Sequence, residues 1–353
     1  EGRAAEFLED TETAVRAYGE ALVAPELLVK AEAYYARAKA LQRINLDECL
    51  GHYTVCIGLL EREFSQDMPL DIRQLLTHMI IDRAWIYIQE RPDFDRAAAD
   101  LAQAQTIIPK RNSALWSDLY NAEASLAYRR DALALAIEKR QMAWVSASES
   151  GQIELMMKTA YNLGTDYIWN EQYESGLDYL EKAISLAQET NNVHVEGSAQ
   201  KGIGNAYALT GDWVTAVSHY LTAYTLFHEI KHLNFLTSLC IDLVEAYAEL
   251  DQYRQARTYF AEARQLSAEI GHDRYETVLN KWSQRYPRLI LELSDRQQEA
   301  MAFARANDGI KRSQYMKLTK ISKSQALRDL EVLCEFGIMK RVGQGRATKY
   351  IVM

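Results

Sequence analysis

The chain holds 353 residues, enough for two or three domains, and its 48% hydrophobic content with five prolines and sixteen glycines is that of an ordered helical protein. No apolar run approaches the roughly 20 residues of a membrane span and no signal peptide is visible, so a soluble protein with no membrane contact is expected. The formal charge of −9 is unevenly held: from Asp295 to Met353 twelve Lys and Arg face six Asp and Glu, +6, leaving −15 on the remainder. Only the tail is therefore expected to meet a polyanion.

Glu1–Glu20 already reads as amphipathic helix, which leaves open a further segment before Glu1. A first helix around Leu27–Gln42 precedes Cys49, Tyr53 and Cys56, whose small–aromatic–small spacing marks a second. Tyr87, Ala97, Leu101 and Ala104 keep the same order, with one extra loop residue around Arg91-Pro92-Asp93. Ser113–Ser148 reads as another helical pair, although its turn near Arg129–Asp131 lacks the aromatic marker. From Met157 to His272 the pattern becomes strict. Leu163-Gly164, Tyr167, Tyr173, Gly176, Leu180 and Ala183 are matched by Ile203-Gly204, Tyr207, Trp213, Ala216, Tyr220 and Ala223. Leu243-Val244, Tyr247, Tyr253, Ala256, Phe260 and Ala263 follow, so Tyr167, Tyr207 and Tyr247 recur every 40 residues. Small residues fall where two helices must approach closely, and Gly164 and Gly204 are expected at such contacts. About six helical pairs are expected between Leu27 and His272. Trp116, Trp144 and Trp169 are expected to pack between repeats. Cys49, Cys56, Cys240 and Cys334 lack CxxC spacing and read as reduced, buried thiols of a cytoplasmic protein.

This pattern resembles the tetratricopeptide repeat, a helix–turn–helix unit that stacks into a right-handed superhelix. The fold class expected is mainly α, a tetratricopeptide-like α-superhelix over 1–293. The resemblance implies a ligand groove lined by the first helix of each repeat. Carried over, its register gives Lys158, Tyr161, Asn162, Thr165 and Trp169 from one repeat, Lys201 and Asn205 from the next, and Asp242 and Glu245 from the third. Lys201 and Asn205, one turn apart, match the family's clamp for a peptide's terminal carboxylate, whereas Asp242 and Glu245 put negative charge where that clamp needs Asn and basic residues. Asn side chains can instead bond a peptide's backbone, as in peptide-sensing bacterial repeat regulators; a merely solvated groove is the alternative.

Asp273–Leu293 reads as a closing helix broken at Pro287, which removes a backbone donor and clashes with the preceding turn. The boundary then falls at Tyr286–Ser294, and 294–353 reads as a second domain. Asp295–Ala306 and Arg312–Leu318 are expected helices. Ser322–Glu335 is a third, opened by a capping box of Ser322 and Gln325 and ended at Gly337. Ile338–Val342 and Ala347–Val352 flank Gly343-Gln344-Gly345-Arg346 as a hairpin. The order, with Ile321-Ser322-Lys323-Ser324-Gln325-Ala326-Leu327-Arg328-Asp329-Leu330 and the run Gly337–Tyr350, resembles the winged helix-turn-helix of bacterial DeoR and MarR repressors. The resemblance implies that Ser322, Lys323, Ser324, Gln325 and Arg328 meet the major groove, while Arg341, Gln344, Arg346 and Lys349 meet the backbone or minor groove. A solvated basic face or a protein-docking module are the alternatives.

No Walker motif, GxGxxG or nucleophile elbow occurs, so no catalytic residue, cofactor or enzyme activity is expected. His228 and His232 have the i, i+4 spacing of zinc ligands, but beside Phe227 and Ile230 they read as packing or surface groups, and no metal is expected. The sequence thus suggests a transcription regulator. Its repeats would sense a peptide, protein or small ligand, its tail would bind DNA, and a homodimer would read a two-fold site. The alternative is the scaffold or sensor portion of a larger signalling NTPase, with the winged helix docking protein.

Overall fold

A computed structural model describes residues 11–22, 26–64, 68–271, 273–291, 293–345 and 348–353. The chain falls into two compact units divided between Val195 and Glu196. The first nine described helices are Thr11–Ala21 (α1), Leu27–Leu41 (α2), Leu46–Glu63 (α3), Leu70–Gln89 (α4), Phe94–Ile107 (α5), Ser113–Arg129 (α6), Leu133–Ser150 (α7), Ile153–Trp169 (α8) and Tyr173–Glu189 (α9). Then come Val193–Leu209 (α10), Trp213–Glu229 (α11), Leu233–Glu249 (α12), Tyr253–Ile270 (α13) and Asp273–Arg285 (α14). The expected helix before Thr11 lies outside the described residues.

Six helical pairs run from α2–α3 to α12–α13, and from α6 to α13 each helix has 17 or 18 residues. The turns explain the strict period. Positive φ recurs at Asp131, Glu171, Gly211 and Asp251, and again at Gly151, Asn191, Lys231 and Gly271, so the backbone enters the left-handed region every 20 residues. A six-residue bond closes most of these turns, as in Gln172 N–H to Tyr167 O at 2.9 Å, Asp212 to Tyr207 at 2.9 Å and Gln252 to Tyr247 at 2.8 Å. That bond satisfies a carbonyl the helix end leaves orphaned. Gly, Asn and Asp take the left-handed position easily; Glu171 and Lys231 take it at a cost of about 1 kcal/mol each, imposed by the repeat.

Within the pairs the small residues do what the pattern predicts. A Cβ on Gly164 would sit 2.8 Å from Leu180 Cγ and 2.9 Å from Gly176 O, and one on Gly204 would sit 2.6 Å from the Tyr220 ring. Trp144 packs edge-on to Tyr179, and Trp116 lies against the first core. Trp169 departs from its expected packing role: it is 53% exposed. Cys49, Cys56 and Cys240 are buried free thiols, while Cys334 is half-buried. His228 lies in the last turn of α11 and His232 at the N-cap position of α12, so no single helix carries both, and His232 packs edge-on to Phe227 and Phe235.

Beyond α14 the chain breaks at Pro287 into a short 3₁₀ turn, Pro287–Leu289. Helices Asp295–Ala306 (α15), Arg312–Thr319 (α16) and Lys323–Glu335 (α17) follow, then antiparallel strands Met339–Val342 (β1) and Lys349–Val352 (β2). Met339 pairs with Val352 and Val342 with Lys349. Ile338 just precedes β1: its N–H closes α17 on Leu333 O at 2.9 Å, while its carbonyl accepts from Met353 N–H at 3.1 Å. Ile310 adds a third rung, exchanging two 2.8 Å bonds with Tyr350. These elements share their own core, including Met301, Ile310, Tyr315, Leu330, Leu333 and Tyr350. Asp251, in the left-handed turn of the last repeat, accepts from both Arg288 and Arg305 and so fixes this terminal segment to α12–α13.

Candidate functional sites

In the terminal segment the buried Asp329 sets the geometry. It accepts from Arg296 Nε at 2.6 Å, Tyr315 hydroxyl at 2.8 Å and Gln325 Nε2 at 2.7 Å, tying α15 and α16 to α17. Burial pushes this carboxyl up, but the hydrogen bonds from Arg296, Tyr315 and Gln325 outweigh it and hold it below the usual range. Gln325 therefore completes only half of the expected capping box. Its backbone N–H donates to Ser322 Oγ at 3.3 Å, while its side chain goes to Asp329 in place of the Ser322 backbone.

With α17 so placed, its first turn, the start of α16 and the hairpin enclose a cleft of about 500 Å³. Lys311, Arg312, Lys323 and Arg341 line it with Met316, Leu327 and Tyr350. No carboxylate lines it, and none of the four cations has an acidic partner among the described residues. Four unpaired positive charges around one concavity attract an anion, and mixed apolar lining leaves room for sugar or base. Of the residues singled out in the sequence, Lys323 and Arg341 line this cleft. Ser322, Ser324, Arg328 and Gln344 are exposed nearby, Lys349 is paired with Asp308 at 2.7 Å, and Arg346 lies outside the described residues. Lys311 and Arg312 were missed, though their adjacency at the start of a short helix was a legible signal.

In the second unit the residues expected to line a groove are already engaged with one another or with neighbours. Lys201 Nζ lies 2.5 Å from Asp242 Oδ2 and donates to Ser238 Oγ at 2.9 Å. Asn205 Oδ1 accepts from the Tyr220 hydroxyl at 2.9 Å, so only its NH₂ remains to donate. Glu245 meets Arg285 at 2.9 Å, and Glu249 takes a second Arg285 nitrogen at 3.3 Å and the Tyr286 hydroxyl at 2.5 Å. Burial pushes the Asp242 and Glu245 carboxyls up, against the pull of Lys201 and Arg285 respectively. The negative charge noticed in the sequence is thus compensated from within.

In the first unit Lys158 is exposed with its ammonium 5.7 Å from the Trp85 ring centre, and Tyr161, Asn162 and Thr165 are half-buried. Burial pushes the nearby Asp118 carboxyl up, opposed by Lys158 and His78. Thr165 and Trp169 border a cavity of about 280 Å³ with Gln89, Ser125, Tyr128, Arg129, Arg140 and Asp166. Arg140 is buried and bonds Asp166 Oδ2 through Nε at 3.0 Å, Asn121 O and Oδ1 through Nη1 at 3.1 and 2.9 Å, and Ser125 Oγ through Nη2 at 2.9 Å. Neither Arg140 nor Asp166 was singled out in the sequence: an Arg and an Asp 26 residues apart carry no local signal of pairing. No cluster of His, Cys, Asp and Glu suited to a metal occurs among the described residues.

Residues 155–229 match the tetratricopeptide-repeat family model, so this stretch carries tetratricopeptide repeats. No curated protein sequence matches the chain. Among solved structures it is similar to the Signal Transduction ATPase with Numerous Domains protein with a tetratricopeptide repeat sensor from Pyrococcus horikoshii, at 15% identity and TM-score 0.58, over 88% of this chain and 44% of that one. It is similar to aspartyl phosphate phosphatase F from Bacillus subtilis, at 14% identity and TM-score 0.56, over 95% and 94% of the two chains. A Rap protein complexed with competence and sporulation factor gives 13% identity and TM-score 0.53, over 88% and 80%. At these identities the likeness establishes a mainly helical, tetratricopeptide-like fold. No described helix is long and apolar enough to cross a membrane.

Proposed function

We propose that this chain is a transcription regulator in which a repeat domain, 1–293, senses a peptide or protein and a winged helix, 294–353, binds DNA. One observation carries the reading: the cleft where Lys311, Arg312, Lys323 and Arg341 converge without a carboxylate. In a winged helix the first turn of the third helix enters the major groove and the hairpin follows the backbone, which brings this cleft against phosphates. Lys323, Ser324 and Arg328 then contact DNA directly, while Gln325 orients the helix through Asp329. A single domain of this size offers few contacts, so a homodimer on a two-fold site supplies useful affinity. The peptide half of the reading is supported by the repeats over 155–229 and by the likeness to a Rap protein complexed with competence and sporulation factor. A second reading, the sensor portion of a larger signalling NTPase, is favoured by the likeness to an ATPase whose repeats are a sensor. Selection from a randomised duplex pool with the whole chain separates them. Enrichment of a two-fold symmetric motif is expected; a pool that stays random after successive rounds contradicts DNA reading and leaves the sensor portion.

A further inference from the structure

The repeat supplies its own control for the polar network between α7 and α8. Stepping forward by the 40-residue period from Arg140 gives Leu180, Tyr220 and Phe260, all buried and apolar or aromatic. Stepping either way from Asp166 gives Leu126, Ala206 and Ala246, again buried. Packing at these later positions is therefore met by apolar or aromatic side chains, while one period before Arg140 stands Asp100, itself buried and paired with Arg83. Arg140 and Asp166 instead form a buried ion pair, 8% and 9% exposed, with a desolvation cost that the following repeats avoid at these positions. The symmetry breaks a second time at the rim. Tyr128 is 45% exposed where its period mates Ile88, Ile168 and Ala248 are buried and Ala208 is half-buried; Trp169 is exposed as well, as is its mate Leu209. Both departures border the same cavity of about 280 Å³.

The chemistry of that cavity selects a ligand class. Arg140 has five N–H groups, of which Asp166, Asn121 and Ser125 take four, so one hydrogen on Nη2 remains for an acceptor. Arg129 at the rim adds a second guanidinium against the single carboxylate of Asp166. The net sign favours an anion, and a planar guanidinium favours a carboxylate. Tyr128 and Trp169 offer ring faces to a flat apolar group. The volume holds one small ring system.

We propose that this cavity is a small-molecule site for an aromatic carboxylate, the acid group on Arg140 and the ring against Trp169 and Tyr128. The site lies wholly within the first unit, so its test does not depend on DNA binding by the tail. Titration calorimetry of the whole chain with benzoate, 4-hydroxybenzoate and indole-3-acetate, and with benzylamine as a cationic probe, reads it. At least one acid is expected to saturate one site per chain, with benzylamine silent. Trp169→Ala removes an exposed ring, and about a tenfold loss of affinity is expected with the thermal melt unchanged. Arg140→Leu together with Asp166→Ala restores the apolar pattern of the following repeats, keeps the helical signal and abolishes binding. No saturation by any acid up to about 10 mM, equal binding of benzylamine, or an unchanged affinity in Trp169→Ala overturns the proposal.

Discussion

The cations of the repeats and those of the terminal cleft are used in opposite ways. Arg83, Arg140, Lys201, Arg285 and Arg288 each face a carboxylate within the fold. Lys311, Arg312, Lys323 and Arg341 face none. A paired cation is a positioning device whose removal strands its partner, at greatest cost where the pair is buried as at Arg140 and Asp166; an unpaired one costs the fold little and is available to an outside anion. The contrast separates cations whose loss destabilises the fold from those whose loss leaves it intact and weakens anion binding at the terminal cleft.

The sharpest way to break it is at Arg140. Arg140→Met strands Asp166 in the interior, and a loss of about 3–5 kcal/mol in urea unfolding is expected. Arg140→Leu with Asp166→Ala should recover most of that loss, since both charges go together. If the single variant unfolds like wild type, the pair is not a structural device and the contrast fails. Gly204→Val comes next: its branch meets the Tyr220 ring, and about 1–3 kcal/mol is expected, read as a lower Tm by circular dichroism. An unchanged Tm removes the close contact between α10 and α11.

Much of this was legible beforehand. Tyr167, Tyr207 and Tyr247, with Gly164 and Gly204, announced the period because aromatic and small residues are forced by the approach of paired helices. The left-handed turns were half legible: Gly151, Gly211, Gly271 and Asn191 lie on a 20-residue grid, but Glu171 and Lys231 hide it, being residues that take the conformation only because the repeat requires it. The partners of buried polar groups were not legible. Gln325 fits a capping box and an i, i+4 bond to Asp329 equally well in sequence, and the choice is made by Arg296 and Tyr315, which gather on Asp329 from other helices. Trp169 was misread as packing because an exposed tryptophan and an inter-repeat one share the same register.

Asp329 gives the contrast a pH signature. Its carboxyl is held below the ordinary value in the folded state, so its contribution is fully present above the unfolded pKa of about 3.9 and is lost as pH falls through the lower folded value. The terminal segment should therefore lose stability below about pH 4, and Asp329→Asn should remove that part of the dependence. Melts followed by hydrogen exchange of α17 check it; an acid profile identical in the variant contradicts the assignment. The smallest effect is expected at Lys349. Its pair with Asp308 is exposed, so Lys349→Ala should change stability by about 0–1 kcal/mol and leave the salt dependence of the proposed DNA binding nearly intact, unlike Lys323→Ala.

The most direct test of the DNA reading is the salt dependence of duplex binding, measured by fluorescence anisotropy on the whole chain. Four phosphate contacts per cleft predict a slope of log K against log salt of about −3.6 for each cleft engaged. The chain in which Lys311, Arg312, Lys323 and Arg341 are all alanine should bind weakly with a slope near zero while keeping its thermal melt. Binding by wild type that does not respond to salt, or a slope unchanged in the four-alanine chain, contradicts the assignment of this cleft to DNA.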